Sequence, residues 1–254
     1  MIDSALREAL MFHEIAEANH RILNPFTEEK LMLLGEVCRL RTGMRLLDLA
    51  CGKAEMLCRW AQRYGIEGVG VDLSEVFLAA ARERADDLGV ASRVTLVPGD
   101  AAAYPAEPTG YDVVACIGAT WIGGGLVGTI ELMKPALRDG GLLLVGEPYW
   151  IDAPPPEAYR ALGAGEEDFT SLPGMLDRFE AAGVELVEMV LADGDSWDRY
   201  VAAQWMTLSD WLRAHPEDPR ASKIREGLDG ARTSYLRYNR RYLGWGVFVL
   251  RVAG

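Results

Sequence analysis

Three aspartates at the ends of apolar runs are the first residues in this chain with chemistry to offer. Asp48 closes "RLLD" before the loop "LACGKAE", Asp72 closes "GVGVD", and Asp100 follows "RVTLVPG". Carboxylates at such points accept hydrogen bonds from hydroxyls and amines or hold a cation. The loop after Asp48 contains one glycine, Gly52, and carries Ala50 and Ala54 where a dinucleotide loop has further glycines. Pyrophosphate needs small residues for close backbone approach and no negative charge nearby. Asp48 would repel a phosphate and attract an ammonium. Asp72 can accept from both hydroxyls of a ribose, and Asp100, with the backbone N–H of Ala101, can pair with an adenine amino edge. Each aspartate alone also reads as a helix cap. The three together are more specific than any one.

The elements that must position these residues follow from hydrophobic periodicity. "MRLLDLA" (44–50), "GVGVDL" (68–73), "RVTLVPGD" (93–100), "YDVVACIG" (111–118) and "GLLLVGEP" (141–148) read as short buried strands. Helical stretches at 54–64, 74–88 and 126–138 alternate with them, which predicts a parallel sheet with right-handed crossovers. Ligands in such sheets bind outside the carboxyl ends of the strands, where the three aspartates fall. Upstream, 4–20 and 27–40 carry helix-spaced apolar positions, with Thr27 as N-cap before Glu28 and Glu29. Downstream, 149–180 begins with a Pro-rich segment and continues into a helix near 174–182. Strands at 183–193 and 244–252 flank a long helical insertion, 196–241, broken at "PEDP". This organisation reads as one domain over 1–254, with a helical lid (1–40), a cofactor-binding core (41–148) and the insertion.

Composition narrows the class. Half the residues are hydrophobic, a quarter are charged, and the net charge is −12. An acidic chain without a basic stripe is unsuited to nucleic acid. No apolar run approaches the ~20 residues a membrane span needs, and the amphipathic start is not a signal peptide. Cys38, Cys51, Cys58 and Cys116 form no C-x-x-C pair, and His13, His20 and His215 lie far apart, so no metal site is expected. Buried reduced thiols fit a cytoplasmic protein.

S-adenosylmethionine (SAM) carries an ammonium, a ribose, an adenine and a sulfonium, and no phosphate, so it suits the loop better than a dinucleotide. "LLDLACG", "GVDLS", "VPGDAAAY", "YDVVACIGA" and "LRDGGLLLVGEP" resemble the successive motifs of class I SAM-dependent methyltransferases. The resemblance covers about residues 42–148. It implies an α/β, Rossmann-like seven-stranded sheet with an antiparallel last strand, an N-terminal helical lid and a helical insertion before the last strand. "GATWIGGG", "GEPYW", "EMVLAD", "WDRY" and "GWGVF" are similar to an uncharacterised group of bacterial methyltransferases, nearly end to end. By position, the resemblance places Asp48, Ala50, Cys51 and Gly52 at the methionine end of the cofactor. It places Asp72 at the ribose with Leu73 beside the adenine, Asp100 and Ala101 at the adenine amino edge, and Ile117 near the sulfonium. The departure from the family pattern is Ala50 and Ala54 at glycine positions.

Methyl transfer from a sulfonium is an in-line displacement, so the protein mainly aligns the acceptor and excludes water. Trp121, Glu147 and Tyr149 are the candidate catalytic residues, with Trp150, His20 and Asn24 behind them. Glu147 ends a buried strand and suits a base or cation partner; a structural cap or ion pair is the alternative. Gly123, Gly124 and Gly125 suit either a moving segment or a plain turn. Trp197, Tyr200, Trp205 and Trp211 fall near helical spacing and are expected to pack the insertion onto the body. "YLRYNRRYLGW" offers arginines to an anionic acceptor or to ordinary surface pairs. The reading is a SAM-dependent enzyme that methylates N, O or S of a small molecule and releases S-adenosylhomocysteine. A SAM-binding regulatory or scaffold protein and an NAD-linked oxidoreductase are the alternatives.

Overall fold

The five core runs become strands β1 (Arg45–Leu49), β2 (Glu67–Asp72), β3 (Val94–Pro98), β4 (Tyr111–Ile117) and β5 (Leu137–Trp150). They are joined by β6 (Val184–Leu191) and β7 (Leu243–Val252). In the computed structural model, which describes residues 4–253, these form one seven-stranded sheet in the order β3-β2-β1-β4-β5-β7-β6. Strands β1 to β5 pair in parallel, and β7 runs antiparallel to both β5 and β6. The strand order reverses between β1 and β4, which opens a crevice beyond their carboxyl ends.

Both faces of the sheet are buried, as parallel strands require. Leu47, Leu49, Val114, Leu143 and Val145 point to one face, and Leu46, Val113, Ala115 and Leu144 to the other. Helices α2 (Glu28–Val37), α3 (Glu55–Tyr64) and α4 (Glu75–Asp87) lie after α1 (Ser4–Ala16). Trp60 of α3 is fully buried and donates its indole N–H to the Leu31 carbonyl of α2 at 3.1 Å. Helices α5 (Leu126–Met133), α6 (Pro156–Leu162) and α7 (Leu172–Ala181) follow. The insertion is α8 (Gly194–Ala214) and α9 (Ala221–Ser234), which runs through a π-helical turn and a short helical turn to Tyr242.

Several boundaries differ from the sequence expectation for local reasons. The predicted 126–138 helix stops at Met133, because Pro135 tightens the next turn into a 3₁₀ segment. Helix α8 begins two residues early, where Asp193 and Ser196 form a reciprocal capping box. Helix α6 was not expected, and starts with Pro155 at its N-cap and Pro156 in its first turn, where a missing N–H costs nothing. The first lid helix ends at Ala16 instead of 20, and the lid's first three residues and Gly254 lie outside the described residues. Against the lid, Ala16 joins Leu208 and Leu212 of α8 and Leu228 of α9 in a small separate core. No described helix is long and apolar enough to cross a membrane.

Candidate active site

The loop between β1 and α3 has an unusual backbone. Ala50, Gly52 and Ala54 all take left-handed φ values, of 61°, 55° and 51°. Glycine adopts this region freely, but each alanine costs about 1–2 kcal/mol. The loop persists because it is tied from several sides. Cys51 N–H donates to the Val71 carbonyl at 3.0 Å, and Gly52 N–H donates to Asp72 Oδ2 at 2.7 Å. Gly70 makes room for it, since a Cβ there would stand 2.7 Å from Cys51 Sγ. Asp72 also accepts from Ser74 N–H at 2.8 Å, so one carboxylate brackets the β1–α3 loop and the start of α4.

The three aspartates sit in different surroundings. Asp48 is 3 % exposed and receives no hydrogen bond from protein groups among the described residues. Burial, and then the neighbouring charge of Asp72, push its carboxyl well above the usual carboxylate range. Burial also raises Asp72, against the two backbone N–H groups that favour its ionised form. Asp100 is exposed, and its carboxylate accepts from Ala102 N–H at 3.0 Å, so it does cap the following turn.

One cavity of about 540 Å³ opens over these groups. Its walls include Asp48, Ala50, Cys51, Gly52, Asp72 and Leu73, and also Asp100, Ala101, Ile117 and Trp121. Trp121 is 59 % exposed at the mouth. Its turn is fixed from behind, because Thr120 Oγ1 donates to Glu147 Oε2 at 2.6 Å and Thr129 Oγ1 donates to the Thr120 carbonyl. Gly123 packs its backbone against that of Gly128 and Thr129, where a Cβ would not fit, and Gly124 and Gly125 supply positive φ before α5.

Glu147 and Tyr149 do not line the cavity, contrary to the expectation from sequence. Side chains alternate along a strand, and Pro148 is the residue of "GEPYW" that faces the ligand side. Glu147 is buried behind Thr120 with its carboxyl raised to about 7, chiefly by burial. Tyr149 packs in the opposite core beside Phe248. Trp150 packs edge-on to Tyr159 and Phe169.

The lid supplies residues that periodicity did not reveal. Lys53 Nζ donates to the carbonyls of Glu17, Ala18 and His20 at 2.8, 3.0 and 2.7 Å, fastening the cofactor loop to the end of α1. Glu17 is fully buried and accepts from Tyr200 Oη at 2.5 Å and Gln204 Nε2 at 2.6 Å, with His20 Nδ1 at 2.6 Å. Its carboxyl lies below the usual range: burial raises it, and the bonds from His20 and Tyr200 outweigh that. Asn24 lines the cavity while His20 serves Glu17. The insertion's aromatics Trp205, Trp211, Trp197 and Tyr200 pack against other elements as expected, and Trp197 and Tyr200 also line the cavity. In "YLRYNRRYLGW", Tyr235 and Arg240 both bond Asp198, an ordinary structural cluster.

A methyltransferase domain model matches residues 46–141. The uncharacterized protein YjhP of Escherichia coli K12 is 49 % identical over 238 residues, 93 % of this chain and 96 % of that protein. The structure of a SAM-dependent methyltransferase from Geobacter sulfurreducens, solved with S-adenosylhomocysteine, is 50 % identical with a TM-score of 0.91. It covers 95 % of this chain and 98 % of its own. The chain belongs to the SAM-dependent methyltransferases. A second such methyltransferase, from Thiobacillus denitrificans and also in complex with S-adenosylhomocysteine, is 48 % identical with a TM-score of 0.90, covering 94 % and 97 %. The methyltransferase thus has the expected mixed sheet, with a crevice over the β1–α3 loop walled by residues of α1, the 21–26 segment and α8.

Proposed function

We propose that the cavity holds SAM at its acid-lined end and a small-molecule acceptor, methylated at N, O or S, at its other end. The carrying observation is that the cofactor candidates from three strand ends line the same cavity as Trp121. The residues present fit the cofactor. Asp48 is a buried carboxylate without a protein donor, which an ammonium would satisfy. Asp72 keeps lone pairs for ribose hydroxyls beyond its two backbone bonds. That Asp100, Ala101, Leu73 and Ile117 line the same cavity supports the adenine-edge, adenine-face and sulfonium roles that the resemblance implies for them. When bound, SAM supplies an activated methyl group.

The chain's own contribution is orientation and water exclusion, with α1 and the 20–26 segment closing over the crevice. Trp121 is the candidate that meets the acceptor at the mouth, and Glu147 acts behind it through Thr120. The four unpaired cysteines support a cytoplasmic setting. Titration calorimetry against SAM, S-adenosylhomocysteine and NAD tests the donor half. Binding of the two adenosyl compounds without NAD is expected, and NAD binding in their place would overturn the reading.

A further inference from the structure

The cavity has two chemically different ends. The aspartates occupy the ends of β1, β2 and the loop after β3. Beyond β4, the wall is Ile117, Pro148 of β5, Trp245 and Val247 of β7, Phe26 of the lid and Trp197 of α8. These groups are packed together. Trp245 pairs with Pro148 across the ladder, and Phe26 meets the Trp245 ring edge-on at 5.5 Å. A Cβ on Gly146 would stand 2.8 Å from both Ile117 Cγ2 and the Trp245 ring, so this glycine lets the wall close. The polar side chain beside it is Asn24, an amide packed against Gly118.

No titratable group of the described cavity wall is free to take a proton at that end. Lys53 is spent on three carbonyls, and Glu55 is paired with Arg84 through two bonds of 2.7 Å. Tyr200 donates to Glu17, and burial drives its own proton loss far upward. His13 packs on Phe77 of α4, on the cofactor side. Arg21 is exposed and takes no further proton. Asp48, Cys51, Asp72 and Asp100 stand at the acid end.

We propose, building on the donor site above, that this apolar end accepts a small hydrophobic thiol. A chamber without a base cannot ionise an alcohol, and an ammonium of pKa about 10.4 sheds its proton to water much less readily than a thiol does. A thiol ionises by itself near pH 8.5, its thiolate is the reactive form, and sulfur packs favourably against aromatic rings. The thiol loses its proton to bulk water before it enters, since apolar surroundings disfavour the thiolate, and the thiolate lone pair forms the new S–CH₃ bond. The donor sulfonium keeps the electron pair of the bond that breaks and becomes a neutral thioether.

The test uses benzenethiol, phenol and benzylamine, which share a ring and differ in nucleophile. On the protein saturated with S-adenosylhomocysteine, calorimetry should show benzenethiol binding. Trp245→Ala should weaken it at least tenfold while leaving S-adenosylhomocysteine affinity within twofold. Trp197→Ala, at a half-buried site, gives the same comparison if the first variant misfolds. With SAM present, only the thiol should be methylated. Its kcat/KM should rise with the acceptor's own ionisation, moving to higher pH when phenylmethanethiol replaces benzenethiol. Methylation of phenol or benzylamine at comparable rates, a pH profile that ignores the acceptor, or no thiol binding to the loaded protein would each overturn the proposal. Failure of S-adenosylhomocysteine itself to bind would instead remove the donor site.

Discussion

A buried carboxylate with no donor costs several kcal/mol in principle, and Asp48 holds one beside a second acid. The folded protein binds the Asp48 proton more tightly than the unfolded chain does. The stability this gives is complete below the ordinary carboxylate range and is lost as pH rises through the elevated value. Asp48→Asn should therefore raise the melting temperature of the ligand-free protein, with a gain that grows toward neutral pH. The same variant should lose about 100-fold in S-adenosylhomocysteine affinity, the worth of a charge-assisted bond of about 2–3 kcal/mol. For the wild type, affinity should rise with pH across that window with uptake of ligand releasing a proton, seen as heats that depend on buffer ionisation. The alanines of the loop offer a second test. Ala50 is only partly buried at φ 61°, so Ala50→Gly relieves strain and loses little packing. A gain of about 1 kcal/mol, or about 2–4 °C by calorimetry, is expected. A lower melting temperature would show that the surrounding bonds, not the backbone, set the loop's energy.

Among elements, the end of β5 shows how one residue can serve a site it does not enter. Glu147 reaches Thr120 from the far face of the sheet and steadies the turn that carries Trp121. With its carboxyl raised from the ordinary 4.5 to about 7, stability is lost as pH rises across that interval and levels off above it. Glu147→Gln should match wild type in stability only below about pH 4 and exceed it at pH 8, by about 3 kcal/mol, with turnover changed only a few-fold. A hundredfold loss of kcat would mean that it contacts the acceptor after all. The contact between the cofactor loop and α1 is testable by exchange. Lys53→Met removes three bonds to backbone carbonyls, so amides of α1 should lose roughly tenfold or more in hydrogen-exchange protection while β1 and β4 stay unchanged.

The whole molecule is a sheet with a separately packed roof, and ligand should bind the two together. At 100 times its dissociation constant, S-adenosylhomocysteine should add about 2.7 kcal/mol, which at this size raises the melting temperature by roughly 5–10 °C. The sheet was legible in the sequence because its strands are short apolar runs cut by glycines and aspartates, and every aspartate expected at the cofactor does line the cavity. The far wall was harder to read. Strand alternation turned Glu147 and Tyr149 away, and nothing in the spacing of Trp197 and Tyr200 separates a helix face on a core from one on a cavity. Lys53 gave no sequence signal because its partners are backbone carbonyls, which leave no mark on side-chain pattern. Its three bonds also bear on timing. In the proposed site, donor and product, which differ by one methyl group, would both lie under this fastened segment, and either would wait for it to lift before leaving. Turnover would then be paced by departure more than by chemistry, and a surplus of product would keep the protein shut against fresh donor.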